Sequence, residues 1–549
     1  MFSDKRGMLR RGRNIVYGLV LAAVAAGVAV AAIFSAGWDK RDWGRLELSL
    51  SDNPTTLDPA LVKDVSGGRL AGLLYPNLVK YGSDDRLCGD LAEKWEIGAD
   101  GRVYTFQLRS GARFADGTPI TARDVVASFE RTLAPEMVCP RAWVLTPIRG
   151  AQAFHEGRAG EIEGLKAEGD GLLRIELEKP SGTFLSLLTM PQAAVLPAST
   201  PRKPFWGVDK QPVAGGPYRI EGLQPDIALS LEANPLYYGA RASMGKIRYR
   251  IIRNPFAVVT EFRQARLDII EIPDAFDRFF MGDSQYSSYI ESVEGLNIYY
   301  LGFNCTRAPF DSREFRRAIC MVIDRRAIID AVLHGKATAA AGPIPPGLGG
   351  YEPDFSGLPY DPVSARDVIA AARGGGRTLS LLVLANADTI IVAQALAGQL
   401  RAVGLSVEVA GREKGTFKAL LRDGDFDMVY YSWVADYADA ENFLAPLFGT
   451  SADRSGGNYT AYSNPAVDRL LERAASPGDE AQRARLYGSA ARIIVEDAPR
   501  AFLWNARRVM LAQPWVKGYR PSRMYNAERF QGVTIEKGPQ ADTRESSSR

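Results

Sequence analysis

An aromatic and acidic segment near the middle of the second half of the chain carries the residues best suited to hold a ligand. It follows a short apolar run that predicts a strand, and it reads Tyr430-Tyr431-Ser432-Trp433-Val434-Ala435-Asp436-Tyr437. The backbone of such an extended segment can pair with an extended ligand, and the Asp436 carboxylate can bind an ammonium group. The same pattern is also typical of a buried strand whose aspartate caps the helix predicted after it. Both interpretations stay open at this point.

The spacings typical of well-known enzymes are absent from the sequence. It contains no GxSxG nucleophile motif, no GxxxxGK[ST] phosphate loop, no HExxH motif and no GxGxxG turn after a strand. Only two histidines occur, and none of the four cysteines forms a CxxC pair, which argues against histidine-based catalysis and zinc sites. Nothing in the sequence supports an enzyme, although the missing motifs leave an enzyme of another type possible. Our prediction is a chain that performs no covalent chemistry and holds neither a metal nor a cofactor.

Composition places the chain among ordinary globular proteins. Of its 549 residues, 46% are hydrophobic and 24% are charged, and the formal net charge is +3. At roughly 100–200 residues per domain, this length predicts about three domains. The near balance of charge gives no reason to expect nucleic acid as a partner.

The N-terminus predicts the compartment. Residues 1–14 are basic, and residues 15–36 contain no charged side chain. This apolar run is longer than the usual core of a signal peptide, about 7–15 residues, and is long enough to span a bilayer. We favour an uncleaved transmembrane anchor, with a cleaved export signal as the alternative. Either one places the rest of the chain outside the inner membrane, and residues 538–549 are typical of a disordered tail.

The elements that must position the ligand segment are those of an α/β protein. Alternating apolar residues predict strands at 46–50 and 104–108, and Thr121 with Asp124 predicts a capping box at the start of a helix. A strand, a helix and a strand follow one another at 378–384, 389–403 and 405–410. Such a unit implies parallel sheet.

A series of motifs runs through the chain in a familiar order. They are Leu57-Asp58-Pro59, LYPNLV (74–79), LAEKWE (91–96), YTFQLRSGARFADGTPITARDVVASFER (104–131), PVAGGPYRI (212–220), ANPLYYG (233–239), YLGFN (300–304), APFDSREFRRAI (308–319), IDRRAII (323–329), WVADY (433–437), YSNPAVDRLLERA (462–474) and EDAP (496–499). With these motifs the chain resembles the family 5 solute-binding proteins of bacterial ABC importers, the oligopeptide- and dipeptide-binding group. The resemblance covers about residues 46–535.

The resemblance implies the fold. It is the α/β, periplasmic-binding-protein-like II architecture, with two α/β lobes joined at a hinge and an extra domain inserted in the first lobe. Carried onto this chain, lobe one comprises 46–75, 200–300 and 506–537, the extra domain 76–199, and lobe two 301–505. The lobes of such proteins close over the ligand by hinge motion.

The resemblance also implies the binding residues. Asp436 matches the aspartate that pairs with the α-ammonium group of a peptide, Ser432 and Val434 match residues whose main chain bonds the peptide, and Val65 matches a position on the facing loop of lobe one. Trp433 and Tyr437 complete the predicted site, and Trp143 of the extra domain is a further candidate for the cleft.

Several positions depart from the family pattern. Val434 stands where oligopeptide binders have a half-cystine, Lys63 replaces an acidic residue, and Lys414 and Tyr430 occupy two positions that line side-chain pockets. Cys88 and Cys139 both fall in the extra domain, either as a disulfide or as two separate thiols. These departures leave the preferred ligand length and sequence open.

The predicted function is that of an extracytoplasmic, monomeric solute-binding protein that delivers short peptides to an ABC permease. It is either periplasmic or anchored to the inner membrane with its main domain on the periplasmic side. Two alternatives stay open: a membrane-tethered sensor or partner-binding protein with the same fold, and a binder of a non-peptide solute such as a sugar, an opine or a metal chelate.

Overall fold

The computed structural model describes residues 41–82, 84–205, 213–372, 377–452, 454, 456–476 and 479–536. The predicted basic segment at 1–14, the predicted anchor or signal at 15–36 and the predicted tail at 538–549 lie outside this range. Within it, no helix combines the length and the apolar character that crossing a bilayer requires.

Strands and helices alternate along the chain without a long all-α or all-β region. The strands are β1 (Arg45–Leu50), β2 (Val79–Tyr81), β3 (Leu87–Gly89), β4 (Ala92–Ile97), β5 (Val103–Leu108), β6 (Leu165–Ala167), β7 (Leu172–Glu176), β8 (Tyr218–Gln224), β9 (Ala228–Ala233), β10 (Lys246–Ile251), β11 (Ile269–Glu271), β12 (Ile290–Glu294), β13 (Asn297–Phe303), β14 (Ala337–Ala339), β15 (Leu379–Leu384), β16 (Val407–Arg412), β17 (Met428–Val434), β18 (Arg500–Ala512), β19 (Val516–Lys517) and β20 (Thr534–Ile535). The α-helices are α1 (Val65–Leu74), α2 (Ala122–Leu133), α3 (Ala151–His155), α4 (Phe184–Leu187), α5 (Pro255–Arg263), α6 (Asp277–Met281), α7 (Ser284–Ser287), α8 (Arg313–Met321), α9 (Arg325–Ala331), α10 (Pro362–Ala372), α11 (Ala387–Ala402), α12 (Lys414–Asp423), α13 (Glu441–Phe448), α14 (Pro465–Ala475) and α15 (Glu480–Asp497).

The first strand belongs to a four-stranded sheet in the order β1-β10-β9-β8. Strand β1 runs parallel to β10, and the other neighbours are antiparallel. Leu46, Leu48 and Leu50 are buried while the residues between them are partly exposed. The alternation predicted at 46–50 is therefore confirmed, because successive side chains of a strand point to opposite faces of the sheet.

An eight-stranded sheet has the order β11-β18-β13-β17-β15-β16, and β12 and β14 also pair with β18. Strands β15 and β16 are parallel, with α11 between them in sequence, which confirms the predicted strand–helix–strand unit. The long strand β18 pairs with β13 and β14 over its first half and with β11 and β12 over its second.

A third sheet is antiparallel throughout, in the order β4-β5-β7-β6. It packs with α2, which begins at the predicted capping box, where the Thr121 backbone N–H donates to Asp124 Oδ2 at 2.8 Å. Its apolar core forms a cluster of its own that draws mainly on residues between 78 and 195. The mixture of helices and sheets is that of the predicted α/β class, and the predicted boundaries of the lobes and the extra domain stay predictions.

Candidate functional site

Strand β17 carries most of the predicted ligand residues. One of its edges pairs antiparallel with β13, from Met428 opposite Phe303 to Val434 opposite Asn297. On its other edge, β15 pairs only with Met428 and Val429. Within the described part of the chain, the last residues of β17, 432–434, therefore have no strand beside them on that edge.

The backbone direction at this edge follows from one hydrogen bond. The N–H of Ala435 donates to the carbonyl of Leu296, the residue just before β13, at 2.8 Å. Successive residues of a strand point their N–H and C=O groups to opposite edges. The N–H and C=O groups of Ala435 point toward β13. Ser432 and Val434 lie an odd number of residues before Ala435, so their N–H and C=O groups point away from β13. Val434 is also 48% exposed.

The buried side-chain amide of Asn442 holds both Trp433 and Asp436, the residues that flank Val434-Ala435. Asn442, in the first turn of α13, accepts the indole N–H of Trp433 at 3.2 Å and the backbone N–H of Asp436 at 3.0 Å, both on its Oδ1. Asn442 is 2% exposed. The strand end and the start of α13 are therefore held together by one side chain.

Asp436 forms an ion pair with Arg141, a residue that the sequence did not single out. Arg141 Nη1 donates to Asp436 Oδ1 at 2.5 Å, and the two side chains are 22% and 15% exposed. Burial acts to lower the pKa of Arg141, but Asp436 and Tyr525 outweigh it and raise that pKa. The pair joins two parts of the chain that lie 295 residues apart.

The interpretation of Asp436 as a helix cap is wrong. Helix α13 has Ala440 at its N-cap position without a side-chain cap bond, and Asp439 Oδ1 accepts the N–H of Glu441 at 2.9 Å. The Asp436 carboxylate accepts from Arg141 instead. Its carboxylate therefore serves a tertiary contact and not the local end of a helix.

Tyr437 is buried, with 3% of its surface exposed. Its ring joins the apolar cluster around the third sheet, and its hydroxyl donates to Glu441. The Trp143 ring lies 6.4 Å from the Tyr437 ring, centroid to centroid, and Trp143 itself is 42% exposed. In this conformation Trp143, and not Tyr437, presents aromatic surface to solvent.

Val65 lies at the first residue of α1 and is 46% exposed. The helix begins there because Asp64 Oδ1 accepts the N–H of Gly67 at 2.8 Å. Val65 borders a cavity of about 370 Å³ whose charged lining includes Arg69 and Glu271.

Tyr525 connects α1 to the ion pair. Its ring packs on Gly68 of α1 so closely that an added Cβ there would lie 2.3 Å from Tyr525 Cε2. Burial raises the pKa of the Tyr525 hydroxyl, and the negative charge of Asp436 raises it further. The positive charge of Arg141 acts in the opposite direction and lowers that pKa. The helix that carries Val65 thus contacts Tyr525, and Tyr525 neighbours Arg141 and Asp436.

The remaining predicted positions fall in different environments. Lys63 and Lys414 are exposed, whereas Tyr430 is buried beside Tyr299 and Trp504. Cys88 and Cys139 are free thiols, so the disulfide alternative does not hold here.

Comparison with known proteins identifies the family. The model of the bacterial extracellular solute-binding proteins, family 5, matches residues 86–455. The chain belongs to this family. Two of its curated relatives are heme-binding protein A of Haemophilus influenzae and the periplasmic murein peptide-binding protein MppA of Escherichia coli. The first is 28% identical over 508 residues, which covers 88% of this chain and 91% of that protein. The second is 28% identical over 495 residues, covering 86% and 89%.

Solved structures of family 5 proteins share the architecture. The murein tripeptide-binding protein MppA, in an unliganded open form, superposes with a TM-score of 0.75 at 26% identity and covers 91% of this chain and 99% of its own. This likeness confirms the predicted α/β architecture with two lobes. The two curated relatives are named as binding proteins and not as enzymes.

Proposed function

We propose that this family 5 protein is the solute-binding component of an ABC importer, which captures short peptides between its lobes and delivers them to a membrane permease. The name of one relative supports the ligand class, since MppA is a murein peptide-binding protein. The protein acts outside the inner membrane as a monomer. Residues 15–36 act as its membrane anchor, or as an export signal that is removed.

The open edge of β17 is the observation that carries this proposal. The N–H and C=O groups of Ser432 and Val434 point away from β13, toward the other edge of β17. On that edge β15 pairs only as far as Val429. An extended peptide can add to such an edge as a further strand. Because main-chain bonds do not depend on side chains, this mode suits a protein that accepts peptides of many sequences.

The other predicted residues take supporting roles in the proposed site. Trp433 is fixed by Asn442 next to the open edge, and Val65 presents an exposed apolar surface on α1. Tyr437 supports the site from within the core.

Native mass spectrometry of the full-length protein, purified from rich medium without unfolding, tests the ligand class. We expect a heterogeneous set of adducts that fragment as short peptides. A single non-peptide adduct would remove the peptide assignment and keep solute binding. A bare mass that peptide mixtures leave unchanged would favour the tethered sensor or partner-binding protein.

A pair of substitutions tests the open edge itself. Val434→Pro removes the N–H that points away from β13 without breaking a bond to β13, and proline is tolerated at a strand edge. We expect it to weaken peptide binding about tenfold, since a lost hydrogen bond with an unsatisfied partner costs about 1–3 kcal/mol. Val434→Ala keeps the N–H and should bind nearly as the natural protein does. Equal binding by both variants would refute a main-chain role at this position.

A further inference from the structure

Asp436 already has a counter-ion from its own chain. The Arg141 guanidinium lies 2.5 Å from the carboxylate, and both side chains are mostly buried. An arginine stays protonated at any physiological pH. A ligand ammonium that approached Asp436 would therefore meet a fixed positive charge within a few ångströms, and the two like charges repel.

Contacts around Arg141 hold it in this position. Tyr525, which packs on Gly68 of α1, lies close enough to raise the pKa of Arg141 together with Asp436. On the other side, the Asn442 amide fixes the backbone of Asp436 at 3.0 Å. Both side chains of the ion pair are mostly buried, so separating them requires breaking their contacts with the surrounding residues.

The surroundings of the pair are aromatic. Trp143 follows Arg141 by two residues, is 42% exposed, and has its ring 6.4 Å from that of Tyr437, the neighbour of Asp436. An apolar group attached to the end of a ligand would find a surface there. An ammonium group at the same place would be repelled by the Arg141 charge.

From this arrangement we infer that Arg141 determines the end-group specificity of the site: it neutralises Asp436, so that the protein takes peptides whose amino end carries no charge, of the N-acylated class. The acyl oxygen of such a ligand accepts from the guanidinium, and its alkyl part packs on Trp143. This inference rests on the proposed peptide-binding function and replaces the predicted role of Asp436 as an ammonium anchor.

Two peptide libraries test the inference with the full-length protein. They are a mixed-sequence tripeptide library with free amino ends and the same library after N-acetylation, each offered at equal concentration and read out by native mass spectrometry. The natural protein should retain the acetylated library at least tenfold better. Tenfold preference for the free amines would overturn the inference and leave the proposed function standing. Equal retention of the two libraries would also overturn it, and retention of neither would remove both proposals.

Variants separate the charge of Arg141 from its bulk. Arg141→Gln should shift the preference at least tenfold toward free amines, because Asp436 then lacks its counter-ion, whereas Arg141→Lys keeps the cation and should keep the preference for acetylated peptides. Arg158→Gln is the matched control, since Arg158 is an exposed residue that pairs with Glu156. An Arg141→Gln ratio equal to that of the control would contradict the inference. The comparison of libraries on the natural protein stands even if a variant fails to fold.

Discussion

A buried ion pair next to the site makes the sharpest prediction about stability. Arg131, on α2, donates through Nη1 to Asp58 Oδ1 at 2.9 Å and through Nη2 to Asp58 Oδ2 at 2.6 Å. The side chains are 2% and 0% exposed. Asp58 lies a few residues before α1, so this pair holds the segment that positions Val65.

Substituting Arg131 with leucine leaves a buried carboxylate without its cation. Breaking a buried pair on one side typically costs about 3–5 kcal/mol. Asp58 would keep two backbone donors, the N–H groups of Ala60 at 3.2 Å and Phe205 at 3.3 Å. Those donors partly compensate the charge, but leucine also removes the Arg131 donors to the carbonyls of Pro201 and Lys203, so we expect a loss of about 3–5 kcal/mol in the free energy of unfolding.

Urea unfolding measures this loss, and a nearby surface pair provides the control. Arg202 pairs with Glu130, also on α2, but its side chain is 45% exposed, so Arg202→Leu should cost only about 0–1 kcal/mol. The free energies are comparable where tryptophan fluorescence and circular dichroism give coincident transitions. Arg131→Leu combined with Asp58→Asn should be more stable than Arg131→Leu alone, because no charge is then stranded. A loss no larger than that of the control would refute the reasoning.

Two further predictions concern pH and the N-terminus. Burial raises the pKa of Glu441 from its ordinary 4.5 to about 7. The folded state therefore holds its proton more tightly than the unfolded state, and stability falls as pH rises from about 4.5 through 7. Glu441→Gln should flatten that dependence in thermal unfolding at about pH 5 and about pH 8, and an unchanged slope would contradict the assignment. The protein purified from the membrane fraction should have the intact mass of a chain that still contains residues 15–36. A mass that corresponds to a chain starting after residue 36 would establish cleavage.

Local patterns in the sequence predicted several of the elements. They placed a strand just before the ligand segment, whereas β17 runs through that segment to Val434. The alternation at 46–50 and the Thr121–Asp124 capping box both depend on near neighbours, and both are present. The strand predicted at 405–410 lies two residues later, at Val407–Arg412, since its ends are set by its pairing with β15 and not by its own residues. The family fold followed from the order of the motifs.

Partners that come from distant parts of the chain could not be predicted in this way. Asp436 offers a carboxylate, but its partner Arg141 is fixed only by packing between segments 295 residues apart. Tyr437 has the exposed-aromatic pattern of a ligand residue, yet the core around the third sheet covers its ring. A side chain that suits a ligand suits an internal partner equally well, and only the three-dimensional arrangement decides which of them it meets.

The two parts of the proposed site make separable demands on a ligand. The open edge at Ser432 and Val434 contacts only the peptide backbone, so Val434→Pro should lower the retention of free and acetylated libraries by the same factor. Arg141 contacts only the amino-end group of the peptide, so Arg141→Gln should change the ratio between the retained amounts of the two libraries. If the double variant shows both effects at full size, backbone pairing and end-group selection are independent. If Arg141→Gln abolishes retention of both libraries instead, the ion pair with Asp436 is what keeps the edge in its binding position, and Arg141 acts on affinity through the fold and not on specificity.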